Sequence, residues 1–293
     1  LSTLPGTFDV SKTRNWNGGS VSGNILTVDD DTNIVTYTYD CGNSQNPTFT
    51  LKCTQAIRGL GMYVNGEQFT TEKLSIACGE GTATYDPDTT TLTLHNATID
   101  NDITANYGIR ASIPDTLKIR LTGANTITRT DIGGGSGIHS DNAVEIIGDG
   151  TLTINVKGDT YDGVYVGADL KISDKATVEI NSKGGLGISA DGIVEIDDAI
   201  VNSTGRHAGI DAYGLKITNG ADVTLMATKD NCNGAFIRKD NEGNGGNIEL
   251  IASKVKATSF YPGLYAGGKL TINGGEVKST STADSAIWTQ GDI

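Results

Sequence analysis

Apolar residues recur two apart along this chain, in short bursts separated by Gly, Asp and Asn. The pairs Leu117/Ile119, Val144/Ile146, Leu170/Ile172, Val194/Ile196, Leu215/Ile217, Ile248/Leu250 and Leu270/Ile272 each read as the buried face of a strand. Ahead of each pair stands a phrase of glycine, apolar, variable and small residues, beginning at Gly108, Gly137, Gly163, Gly187, Gly209, Gly234 and Gly263. Ala286-Ile287-Trp288-Thr289 is a last copy without glycine. Successive copies lie 22 to 29 residues apart, about 25 on average, which is the length of a solenoid coil rather than of a propeller blade. After each pair comes a turn, as at Gly148-Asp149-Gly150, Asp197-Asp198 or Asn219-Gly220, and then a third strand such as Thr177 to Ile180 or Asp222 to Leu225. Three short strands per unit predict an all-β chain wound as a right-handed parallel β-helix, the hand following the usual rule for parallel crossovers.

The residue between the two apolar positions of the second strand predicts the register. In successive units it is Lys118, Glu145, Lys171, Glu195, Lys216, Glu249 and Thr271. Six alternating charges fit positions stacked about 4.8 Å apart, where opposite signs attract and like signs repel. A stack of coils has ends that need covers. Residues 1 to 61, with polar strands at Asn33 to Tyr39 and Thr48 to Cys53, are expected to form an N-terminal β cap or small β layer, with the β-helix running from 62 to 293. Val64-Asn65-Gly66-Glu67 is a hairpin signal. The sequence stops at Ile293, partway through a coil, so either the chain is expected to continue into another domain or something else caps this end; further domains of the same chain or the cell wall are the expected partners beside a polysaccharide.

Composition narrows the partners. Thirty-nine glycines against five prolines suit a turn-dense β protein, and a net charge of -13 repels phosphate backbones and anionic lipid, which excludes nucleic acid as a partner. No stretch has the roughly 18 apolar residues that a membrane-spanning helix needs. Four cysteines, Cys41, Cys53, Cys78 and Cys232, permit two disulfides, and the Cys41/Cys53 spacing suits adjacent strands of a hairpin, with buried thiols as the alternative.

The outward position of the first strand carries Arg110, His139, Tyr165, Ser189, Asp211, Phe236, Tyr265 and Trp288. Its last three members are aromatic. Stacked aromatic faces at strand spacing suit the apolar C–H faces of sugar rings, while Asp211, Ser189 and Arg238 offer partners for hydroxyls. Tyr165, Asp211, Phe236, Arg238, Tyr265 and Trp288 are therefore the candidate ligand-binding residues for a polysaccharide. The same rings could instead cover one another or a loop such as Phe260 to Pro262. Acidic clusters at Asp29-Asp30-Asp31, Asp86/Asp88, Asp159/Asp162 and Asp197-Asp198 offer oxygen ligands to Ca²⁺, or serve as solvated turn residues. No catalytic residue is assigned, because paired carboxylates facing one cleft are not evident. His95 and His139 read as structural. Arg206-His207 and Arg238-Lys239 leave proton abstraction by a polysaccharide lyase as an alternative.

The run from Tyr85 to Ile99 (YDPDTTTLTLHNATI), the glycine-isoleucine units, the LKI and LTI strands and the GDGTLTI turn resemble the β-helical carbohydrate-binding-domain proteins of gut and cellulolytic bacteria, which are similar in fold to pectate lyases. The resemblance covers about residues 62 to 293. It implies a secreted or surface-attached protein that binds plant or host polysaccharide, acidic pectin with calcium among the options. The catalytic aspartates and Gly-His-Gly segment of polygalacturonases, and the calcium and arginine constellation of pectate lyases, are not matched. The reading is a noncatalytic carbohydrate-binding or adhesion module, with a lyase or hydrolase, or a structural spacer, as alternatives.

Overall fold

The computed structural model describes residues 10–22, 25–28, 34–42, 46–52, 58–100, 107–130 and 135–292. It divides into two compact units at Arg58/Gly59. In the first unit, strands Thr13–Asn17, Ile34–Tyr39 and Thr48–Lys52 form an antiparallel sheet, and Gly19–Ser22 pairs with Ile25–Val28 in a hairpin. Trp16 stacks on Tyr37 at 4.7 Å between ring centroids, and Tyr37 on Phe49 at 5.5 Å. Cys53 lies outside the described residues, as do Asp29, Asp30 and Asp31.

The second unit is a parallel β-solenoid of about seven turns, consistent with a pectate-lyase-like fold. Its first strands, from Ile109–Ala111 through Ile138–Ser140, Val164–Val166, Ile188–Ala190, Ala208–Ala212, Asn233–Ile237 and Leu264–Ala266 to Ile287–Thr289, pair in parallel, coil upon coil. Second strands and third strands form two further columns, joined where Asn247–Ser259 runs through both and bends at Ala252, whose φ is 47°. Other coils turn this corner with Asp198 or Asn219 at positive φ, which short polar side chains tolerate best after glycine.

The glycine of the repeated phrase has a steric cause. A Cβ on Gly163 would stand 2.6 Å from the carbonyl oxygen of Gly187, the equivalent glycine one coil on, and would collide with the Ile180 side chain. Gly108, Gly137, Gly187, Gly209 and Gly234 each meet the next glycine's carbonyl in the same way, at 2.6 to 2.8 Å. That carbonyl also accepts the coil-to-coil bond from the residue after the glycine, as from Val164 N–H to Gly187 at 3.0 Å. Backbone therefore packs on backbone at this corner, and a side chain would hold the coils apart. Ala286 lies in the last described rung, where no following glycine carbonyl stands among the described residues.

Inward residues fill the solenoid. Every apolar pair of the second strands is buried except in the last described rung, where Leu270 is covered and Ile272 is 44% exposed. Each buried aliphatic side chain contributes roughly 1.5–3 kcal/mol, repeated in every coil. At the other end, two antiparallel elements close the first rung. The hairpin of Gly59–Val64 and Glu67–Thr70 turns through Asn65 and Gly66, both at positive φ, and pairs antiparallel with Ile109–Ala111. The meander Ser75–Cys78, Gly81–Asp86 and Thr91–His95 then hands over to parallel pairing with Leu117–Thr122.

The charge ladder sits as its alternation requires. Lys118, Glu145, Lys171, Glu195, Lys216, Glu249 and Thr271 are successive cross-strand neighbours. Glu195 lies 3.5 Å from Lys171 and 3.6 Å from Lys216. Glu195→Lys stacks three ammonium groups and is expected to lower stability by about 1 kcal/mol at low salt, less at high salt, as read by thermal unfolding.

Candidate functional site

The outward row of the first-strand sheet is continuous. Arg110, His139, Tyr165, Ser189, Asp211, Phe236, Tyr265 and Trp288 pair in register from coil to coil. Alternation turns each of them outward, since the residues on either side, such as Leu264 and Ala266 around Tyr265, point into the core. Phe236 and Tyr265 stand 4.8 Å apart between centroids. Tyr265 and Trp288 stack face to face, 4.4 Å apart and 10° from parallel.

Five of the six candidate residues lie in this row, and the sixth stands beside it. Arg238, two residues beyond Phe236, donates through Nε to Asp211 Oδ1 at 2.6 Å, and its Nη2 is 3.8 Å from Asp191. Its guanidinium lies over the Tyr213 ring, 4.1 Å from the centroid. The Tyr165 hydroxyl donates to Asp191 Oδ2 at 3.0 Å. Arg238 is thus fixed by two carboxylates and a ring, and its charge is compensated on the spot. Asp191 and Tyr213 were not among the candidates. Both stand two residues past the outward position of the repeat, as Arg238 does, and that second outward column is the signal that finds them.

Rings also stack at the other end of the row. His139 lies 4.9 Å from Tyr165 at 22°, and Tyr107 lies 4.5 Å from His139. His139, read from sequence as structural, is not isolated: its ring belongs to an outward stack and its Nε2 lies 3.2 Å from Asp141 Oδ1.

Asp162 precedes the glycine of the Tyr165 coil. Burial raises its carboxyl from 3.8 to about 6, against the Leu186 N–H that donates to it at 2.7 Å, and the Asp211 charge adds to the rise. A raised carboxyl keeps its proton in the folded state while the unfolded chain has lost it, so stability falls as pH rises from about 4 to about 6. Asp162→Asn retains the acceptor and removes the charge. The variant is expected to flatten that slope and to be roughly 1–2 kcal/mol more stable than the parent at pH 7, as measured by denaturant unfolding across pH.

The remaining clusters have local roles. Asp86 accepts from Asp88 N–H at 3.0 Å and Thr89 Oγ1 at 2.8 Å within its turn, and Asp197 accepts from Thr218 Oγ1 at 3.0 Å in the next coil. Among the described residues, no three His, Cys, Asp or Glu side chains converge as a metal site would require. Cys78 and Cys232 are free thiols. Cys232 Sγ stands 3.9 Å from His207 Nδ1, but burial pushes the thiol up and the imidazole down, which disfavours a thiolate–imidazolium pair. Comparison of the chain with protein-family models, with curated proteins and with solved structures returned no match.

Proposed function

We propose that this chain is a noncatalytic extracellular carbohydrate-binding or adhesion module, secreted or displayed at a cell surface, that holds an extended polysaccharide along the outward row of its first-strand sheet. The observation that carries this reading is the Phe236–Tyr265–Trp288 stack, three rings in successive coils beside the hydrogen-bonding pair Arg238–Asp211. The outward edges of the stacked rings contribute apolar area to the C–H faces of sugars, and the fixed polar pair orients hydroxyls without reorganising. Because Asp211 and Asp191 already compensate Arg238, and the chain carries a net charge of -13, the surface favours a neutral glycan over a polyanionic one.

A glycan array read with and without chelator, paired with an unsaturated-product absorbance assay on pectin, tests the reading. Binding of neutral glycans without turnover is the expected result. Turnover of pectin makes the chain a lyase instead, and neither binding nor turnover leaves a structural spacer.

A further inference from the structure

The aromatic stack at Phe236 has a counterpart further along the same row. Tyr107, His139 and Tyr165 form a second run of stacked rings, and the Arg110 guanidinium lies 5.6 Å from the Tyr107 ring centroid. The histidine is held by its edge. Its Nε2 meets Asp141 Oδ1, while Asp141 Oδ2 accepts from Ser112 Oγ at 2.7 Å, so the ring is presented at a fixed angle.

Between the two stacks the row does not break. Tyr165 to Phe236 is three rungs, about 14 Å at strand spacing. Ser189 and Asp211 occupy the intervening places, the serine 7% exposed and too short to stand above the rings. A polar chain crosses the same interval, from the Tyr165 hydroxyl to Asp191, to Arg238 and to Asp211. Rings, a low polar saddle and rings again make one track. From His139 to Trp288 it covers six rungs, about 29 Å.

Resting on the proposed glycan reading, we propose that Tyr107, His139 and Tyr165 present the edges of their rings as a second apolar sugar-binding platform, so that one long neutral polysaccharide is gripped at both ends of the row and hydrogen-bonded at the saddle between them. Each platform alone spans about 10 Å and binds a short oligosaccharide weakly; joined by one chain, the second contact becomes intramolecular and raises affinity beyond what the saddle hydrogen bonds add.

Calorimetric titration with cello-, xylo- and manno-oligosaccharides, short ones matched to one platform and long ones exceeding the full row, tests this. The parent protein is expected to take two short ligands but one long ligand, with the long ligand on the order of tenfold tighter or more. Tyr107→Ala with His139→Ala is expected to remove one short-ligand site and the whole of the long-ligand advantage. Both side chains point outward, so the unfolding transition should be preserved, and Tyr165→Phe, which keeps the ring and cuts the link to Asp191, serves as a milder second variant that should lower long-ligand affinity alone. One short-ligand site in the parent, or long-ligand affinity untouched by both variants, overturns the second platform while leaving the first standing. Failure of the parent to bind any of the three series overturns the glycan reading and the second platform together.

Discussion

Replacing Tyr265 and Trp288 together with alanine is expected to abolish glycan binding and leave the fold intact. The two rings are stacked 4.4 Å apart and nearly parallel, and each also supports its neighbour's orientation, so removing both takes away apolar area and a preformed ridge at once. Covering the exposed part of an aromatic side chain is worth about 1–3 kcal/mol, so the pair accounts for a loss of about a hundredfold or more. Neither side chain is part of the core. Leu264, Ala266 and Leu270 remain buried beneath them, and the unfolding midpoint should move little. Tyr265→Phe with Trp288→Phe keeps the stack and is expected to retain most of the affinity. Unchanged affinity in the double alanine variant removes this stack as the binding surface.

Gly163→Ala is expected to cost about 3 kcal/mol, a large effect for one added methyl group. The new Cβ has nowhere to go. It meets the Gly187 carbonyl 2.6 Å away, and that carbonyl is engaged by Val164 N–H, so the next coil cannot retreat without breaking a bond of the ladder. On the other side stands Ile180, itself buried. The converse change, Ala286→Gly, should alter stability by less than about 1 kcal/mol, because no such carbonyl faces Ala286 among the described residues. Chemical denaturation of the two variants beside the parent decides the matter. Equal stability of Gly163→Ala and the parent would show that the repeated glycine answers to something other than close approach of the coils.

Much of this architecture was legible before coordinates because a solenoid converts sequence period into spatial neighbourhood. The Lys118 to Glu249 alternation predicted cross-strand contacts correctly, since parallel pairing at one residue per rung allows only one register that alternates the signs. The outward row was readable for the same reason. What escaped was whatever the repeat does not encode. Tyr107 lies outside the phrase, and its contact with His139 depends on how the preceding segment arrives at the sheet. Asp191 and Tyr213 lie one outward position further along, in a column that the repeat places but whose composition differs from coil to coil. The rise in Asp162 depends on burial by neighbouring coils, which no local pattern reports. The closing elements were also hard to place. The first rung is covered by hairpins within residues 59–86, whose antiparallel strands share the two-residue alternation of the parallel ones.

The central claim is that sugar rings lie on the outward row of the first-strand sheet, and Trp288 can report on it. The chain has two tryptophans, so a Trp16→Phe background leaves Trp288 as the sole indole. Emission from that residue, followed while a glycan chosen by array binding is titrated in, should shift and saturate with the same dissociation constant that calorimetry gives. Heat of binding with no change in Trp288 emission would place the ligand elsewhere and contradict the account.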